Sequence, residues 1–172
     1  MKVLISLSEK TFEYTGTHGF YCQVSVPSEE ARFIAKLLKQ NGLSKLVPAD
    51  LDGLHCTIMY SKDAIPKEVV DSNLGSIKAF KAYVQRIESW EGHDKKGYIT
   101  LKLNSIELNK RHNFWKQAGA THSFEDYTPH ITLVTGFMPD APLQSVIDKF
   151  NTKMGKIKYP VLLEDEYVED LS

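Results

Sequence analysis

Two tripeptides in this chain have the residue types for paired acid–base chemistry: His55-Cys56-Thr57 and His130-Ile131-Thr132. Imidazole changes charge near neutrality, so one histidine can take a proton while another gives one. Cleaving a phosphodiester through a neighbouring hydroxyl needs both roles, a base for the nucleophile and an acid for the departing oxygen. A threonine hydroxyl can donate to a non-bridging phosphoryl oxygen, where a fixed donor stabilises developing charge. The pattern calls for no metal and no cofactor. His-x-Thr is not a usual ligand spacing, and no closely spaced set of His, Cys and carboxylate residues occurs elsewhere. One His-x-Thr is common by chance in a β-rich chain. Two, each closing an equivalent unit, are harder to assign to chance.

The elements around them repeat. Gly19 to Val26 reads as a strand closed by Pro27. Ser28 is placed to cap a helix that carries Ala31, Ile34, Leu37 and Leu38 and stops at Gly42. Leu54 to Tyr60 is strand-like. Gly97 to Leu103 then reads as a second opening strand, and Asn104 or Ser105 caps a helix carrying Leu108, Arg111, His112 and Trp115 that ends at Gly119. His130 to Thr135 closes the second unit. Gly19 and His55 are 36 positions apart, and Gly97 and His130 are 33 apart. Within a strand, residues i and i+2 share a face. His55 therefore points with Thr57 and His130 with Thr132, and a pseudo-two-fold axis would turn both pairs toward one cleft. Outside the repeat, Phe80 to Glu91 reads as a long strand, Pro142 opens a helix with Leu143, Val146, Ile147, Phe150 and Met154 on its apolar side, and Tyr159 to Glu169 reads as a last strand.

Composition bounds the partners. With 172 residues, 42% hydrophobic and 25% charged, the chain is long enough for one core and too apolar to be disordered. The formal net charge of -1 offers no general attraction to duplex DNA. No apolar run approaches a membrane span, and the start, with Ser8-Glu9-Lys10 close behind it, does not read as a secretory signal. Cys22 and Cys56 sit in apolar strands without a Cys-x-x-Cys pattern, which fits free thiols in a cytoplasmic protein.

HCTIMY and HITLVT resemble the paired motifs of the 2H phosphoesterase superfamily, His-x-Thr/Ser-x-apolar. The resemblance covers nearly the whole chain through the duplicated layout. It implies one domain over 1–172, with a motif at 55–57 in the first lobe and at 130–132 in the second. The implied fold is α+β and bilobal, with antiparallel sheets lining a central cleft and helices outside. It also implies metal-free action on nucleotide phosphodiesters. The superfamily includes 2′,3′-cyclic phosphodiesterases, RNA-end processing enzymes and viral anti-CBASS nucleases. The opening strand GFYCQVSV with its Tyr21, the ending LLEDEYVEDLS and the compact size are most similar to the phage anti-CBASS nucleases. The implied substrate is a 3′,5′-linked cyclic di- or trinucleotide messenger, in the host cytoplasm if the protein is viral. His55, Thr57, His130 and Thr132 carry over as catalytic positions, and Glu166 carries over as the carboxylate of the closing strand. By alternation Glu164 would share the face of Glu166 and also touch substrate; Glu169 is a more distant candidate. Two readings stay open beside this one: a 2′,3′-cyclic phosphodiesterase acting on RNA ends, and a nucleotide-sequestering binding protein.

The remaining candidates are supporting ones. Trp90 ends the middle strand, where an indole beside a cleft would stack on a base. Tyr21 would line the cleft. Strict alternation puts Tyr60 in the core with Cys56 and Ile58. Lys62, Lys95, Lys96, Lys110 and Arg111 are cations able to reach a phosphate but are more simply surface residues. His18, His93, His112 and His122 read as surface or loop-tip histidines. The segment from Glu125 to Pro129 holds the chain extended as it enters the second motif strand.

Overall fold

The computed structural model describes residues 14–122 and 126–171. The readings of Ser8 to Lys10 and of Glu125 lie outside these residues. Six strands form one ring in the order β1-β2-β5-β4-β3-β6: β1 (Gly19–Ser25), β2 (His55–Ser61), β3 (Ala79–Glu91), β4 (Gly97–Asn104), β5 (His130–Thr135) and β6 (Pro160–Leu171). Every neighbour is antiparallel. The helices are α1 (Ser28–Gln40), α2 (Lys67–Asn73), α3 (Ile106–Gln117) and α4 (Ala141–Met154). The architecture is α+β, antiparallel strands with helices packed against them, as the sequence leads one to expect.

The duplication is visible in the pairing. One half is β6-β1-β2 and the other is β3-β4-β5. They join at two seams, β3 to β6 through five register pairs and β2 to β5 through one, Cys56 opposite Ile131. The two lobes are thus the halves of one closed ring. Alternation sorts each strand. Phe20, Cys22 and Val24 of β1 are buried and face the helices, with the Phe20 ring 5.0 Å from that of Trp115 on α3. Tyr21, Gln23 and Ser25 take the other face. The helices follow their apolar stripes: Ala31, Ile34, Leu37 and Leu38 of α1 are buried, as are Ile147, Phe150 and Met154 of α4.

Capping differs from the reading at one end. Ser28 is already helical, Pro27 occupies the cap position, and no side chain caps α1. At α3 the cap is Ser105, whose hydroxyl accepts from the Leu108 amide at 3.1 Å. At α4 Asp140 does the same for Leu143. Helix α2 has no counterpart in the reading, because at seven residues it is too short to show a period.

Two bulges decide which side chains reach the cleft. On β2, Cys22 pairs with Met59 but Gln23 pairs with Thr57, so Ile58 is an extra residue. Ile58 and Met59 are both buried, and Tyr60 returns to the face of Thr57 with 41% exposure. That overturns the placement of Tyr60 in the core. On β6, Gln23 pairs with Tyr167 and Ser25 with Glu164, three residues against two. The extra residue is Asp165, at φ 55°, a conformation that aspartate tolerates better than most side chains. Glu164 and Glu166 therefore point to opposite faces, not to the same one.

Candidate active site

The one bridge between β2 and β5 pairs the central residues of the two motifs, Cys56 and Ile131. In an antiparallel pair, one step along each strand then sets His55 across from Thr132 and Thr57 across from His130. All four side chains share the face opposite Cys56 and Ile131, both fully buried. The two motifs thus interlock as one constellation around the pseudo-two-fold axis.

Each histidine is held in the same way. Nδ1 of His55 lies 3.0 Å from the Gly53 carbonyl, and Nδ1 of His130 lies 2.9 Å from the Thr128 carbonyl. A carbonyl can only accept, so Nδ1 carries the proton in both rings. That leaves Nε2 in each ring as the nitrogen free to take or give a proton. The orienting acceptor is in each case the backbone two residues upstream, not a carboxylate.

The threonine of the first motif is also positioned. Its hydroxyl lies 3.0 Å from that of Tyr21, which donates to Gln23 Oε1 at 3.0 Å. Burial, first of all, pushes the Tyr21 hydroxyl above its usual pKa, so it stays protonated. At the bulge, two carbonyls of β2 are taken by residues from outside the strand. Tyr127 donates to the Thr57 carbonyl at 2.9 Å, and Nδ1 of His112 donates to the Ile58 carbonyl at 2.7 Å. The Tyr127 and His112 rings stack at 4.2 Å and 3°. His112 is therefore a buried residue that fixes the bulge, not a surface histidine.

A cavity of about 340 Å³ opens beside His130 and Thr57 and is walled by Tyr60, Glu88, Trp90, Thr100, Asp126 and Tyr127, among others. Trp90, 41% exposed, stands edge-on to His130 at 5.7 Å and stacks on Tyr98 at 5.9 Å. Tyr60 meets Tyr21 edge-on at 6.4 Å. The walls are thus aromatic on both sides of the motif strands, suited to bases. His55 is exposed at the start of β2 and lies outside the cavity wall.

Glu166 is not in the cleft. It points to the helix side, where Arg111 binds it bidentately, Nε to Oε2 at 2.7 Å and Nη2 to Oε1 at 2.6 Å. The Trp115 indole adds a bond at 3.2 Å. The Asp165 bulge is the reason. Glu164 takes the other face, opposite Ser25, which itself lies opposite His55. Arg111, a candidate phosphate cation, is spent inside. Lys62, Lys95, Lys96 and Lys110 are exposed and line no part of the cavity. Tyr60, Glu88, Thr100 and Tyr127 were missed by sequence reasoning; only for Thr100, on the alternating run Tyr98-Thr100-Lys102, was there a signal. Among the described residues no group of three His, Cys, Asp or Glu side chains is arranged to hold a metal ion.

His112 also gives the fold a pH dependence. Burial lowers its pKa in the native state. The unfolded chain takes up that proton near the ordinary value, about 6.5, while the native chain does not. Stability is therefore full above that value and declines as pH falls from there toward the native pKa. Urea midpoints are expected to drop between pH 7 and pH 5, and His112→Phe should flatten that slope. An equal slope in wild type and variant would remove His112 as the cause.

The family model described as anti-CBASS protein Acb1 matches residues 18–172. The anti-CBASS protein Acb1 of Vibrio phage KVP40 is 30% identical over 162 residues, covering 94% of this chain and 93% of that protein. Those of Salmonella phage S16 and Enterobacteria phage T4 are 34% and 35% identical, each over 72% of this chain and 70% of their own length. Among solved structures, a phosphoesterase is similar at 15% identity, with a TM-score of 0.49 over 90% of this chain and 96% of that one. LigT of E. coli in its apo form is similar at 16% identity and TM-score 0.49, over 90% of this chain and 95% of its own. With its motifs joined across β2 and β5, and with a family model matched from residue 18 to the last, the chain belongs to the Acb1 family of anti-CBASS proteins.

Proposed function

We propose that the paired motifs cut a 3′,5′-phosphodiester of a cyclic di- or trinucleotide by attack of the adjacent ribose 2′-hydroxyl. As a member of the Acb1 family the chain is a phosphodiesterase-type hydrolase directed at cyclic nucleotide immune messengers, and its role is evasion of host immunity by a phage. One observation carries the mechanism: two imidazoles, each fixed through Nδ1 by the carbonyl two residues upstream, share one face on the two sides of a single bridge, with a threonine opposite each. One Nε2 removes the 2′-hydroxyl proton, the 2′-oxygen bonds to phosphorus, and the bond to the 5′-oxygen breaks. The other histidine, entering protonated, gives its proton to that oxygen. Thr57 and Thr132 donate to the phosphoryl oxygens. The product is a linear strand ending in a 2′,3′-cyclic phosphate. Trp90, Tyr21 and Tyr60 supply stacking surfaces, and Glu164, on the row of His55, is the closing-strand carboxylate on the cleft side. No metal takes part in this route, and residues 1–172 act as one domain in the cytoplasm.

The test is turnover in EDTA with cyclic dinucleotides and trinucleotides, followed by mass spectrometry, against an analogue with a 2′-deoxy sugar at the cleaved position. Multiple turnovers are expected on the ribose substrates and none on the analogue. Normal cleavage of the deoxy compound would sink the mechanism. Cleavage confined to a mononucleotide 2′,3′-cyclic phosphate would move the protein to RNA-end metabolism, and tight binding without turnover would make it a sequestering protein. No helix of the described residues is long and apolar enough to cross a membrane.

A further inference from the structure

The two halves of the cleft match in strand pairing but not in charge. Across the first half runs a row His55–Ser25–Glu164, read through successive register pairs of β2, β1 and β6. The corresponding row of the second half, across β5, β4 and β3, is His130–Lys102–Arg86. Where one half ends in a carboxylate, the other carries two cations beside its histidine. Lys102 is a strand spacing from His130, roughly 4.8 Å, and its side chain is only 29% exposed.

These cations are not spent on each other's neighbours. Glu88, in the cavity wall, receives both, but its Oε1 is 3.9 Å from the Lys102 ammonium and 3.4 Å from Arg86 Nε. Both contacts are longer than the roughly 2.7–2.9 Å of a charge-assisted hydrogen bond. The group of three has a surplus positive charge and lies next to the reacting centre.

A cyclic dinucleotide carries two phosphodiesters. Only one can lie between the histidines, and the other stays charged when the substrate enters the cleft. We propose that Lys102, with Arg86 behind it, binds this second, uncut phosphodiester and so orients the messenger with its intact linkage toward the β3–β4 side. The inference rests on the phosphodiesterase reading and adds to it a subsite and a direction. Lys102 is a binding residue here and takes no part in proton transfer.

The experiment pairs a protein change with a substrate change. The substrates are a ribose cyclic dinucleotide and its analogue in which one linkage is a neutral methylphosphonate, so that cutting falls on the other. Wild type should cleave the analogue with KM raised about tenfold, the loss of one charged contact. Lys102→Ala should raise KM about tenfold on the normal substrate and by less than about twofold further on the analogue, with kcat changed by less than about threefold. Lys102→Arg should restore KM, which a merely structural role for the lysine would not predict, and Lys149→Ala on the outer face of α4 controls for net charge. Full additivity of the two losses, or a fall in kcat at constant KM, would overturn the subsite while leaving the phosphodiesterase reading intact. Failure of wild type to cut the normal dinucleotide would instead overturn that reading, and the subsite with it.

Discussion

His55→Ala and His130→Ala should each lower kcat on a cyclic dinucleotide by about 10²–10⁴-fold, the usual worth of one positioned proton transfer. KM should change little, because each imidazole acts on protons in flight and not on the bulk of the ligand. The double variant should be scarcely slower than the worse single one, since base and acid act in one concerted step and their losses do not multiply. The pH profile supplies the second readout. Wild type should show a bell, with one limb for the base and one for the acid, and each single variant should lose one limb. This would also assign the roles, which the near-symmetry of the site leaves equal: both rings have the same Nδ1 anchor and differ in exposure, His55 being open and His130 half-buried. Two variants that keep kcat within tenfold of wild type would end the case for histidine catalysis.

Arg111→Met is expected to be the most damaging single change to the fold. Arg111 and Glu166 have side-chain exposures of 4% and 0%, and the arginine also donates to the Asn73 carbonyl at 2.8 Å and lies over the rings of Phe114 and Trp115. Removing the guanidinium leaves a carboxylate in the interior whose remaining donors among the described residues are the Trp115 indole and the Cys22 thiol. Breaking a buried pair from one side costs about 3–5 kcal/mol. For a chain of this size that corresponds to a Tm lower by about 10 °C. Glu166→Gln should act in the same direction and less severely, and the double change Arg111→Met with Glu166→Leu should recover much of the loss, since neither charge is then stranded. Melting curves measure this. Assays well below the transition should find kcat of Glu166→Gln near wild type. A hundredfold fall in kcat with an unchanged Tm would return Glu166 to the chemistry and refute its assignment to the fold.

Glu166 shows where the sequence stops being legible. The strands, most helix stripes and the interlocking histidines could be read because they rest on local period and on repeated spacing. Position on one face or the other could be read only up to the first bulge. Ile58 and Asp165 are extra residues whose side chains carry no mark of it, and each reverses the facing of the residues beyond it. Tyr60 was thereby lost to the site and Glu166 wrongly gained. Register between distant strands is the other blind spot. Lys102 stands beside His130 because β4 pairs with β5 in one particular alignment, and no local pattern encodes that. Tyr127 and His112 were invisible for a related reason: they bond to carbonyls at the β2 bulge, which no local pattern marks. The thiol of Cys56, directly between the two motif residues, could have suggested a nucleophile, but burial pushes its pKa up to about 11 and keeps it inert.

Mechanically, the ring of strands is a bracelet with an unequal pair of fastenings. The β3–β6 seam holds five register pairs, and the β2–β5 seam holds one. The clasp is that single bridge, and it fastens the residues between each histidine and its threonine. Strain from heat, denaturant or an ill-fitting ligand is released where the fewest bonds resist it, so the clasp gives way before the hinge. Alignment of the two imidazoles and closure of the bracelet are then the same event, and activity is expected to be lost while most of the core is still packed.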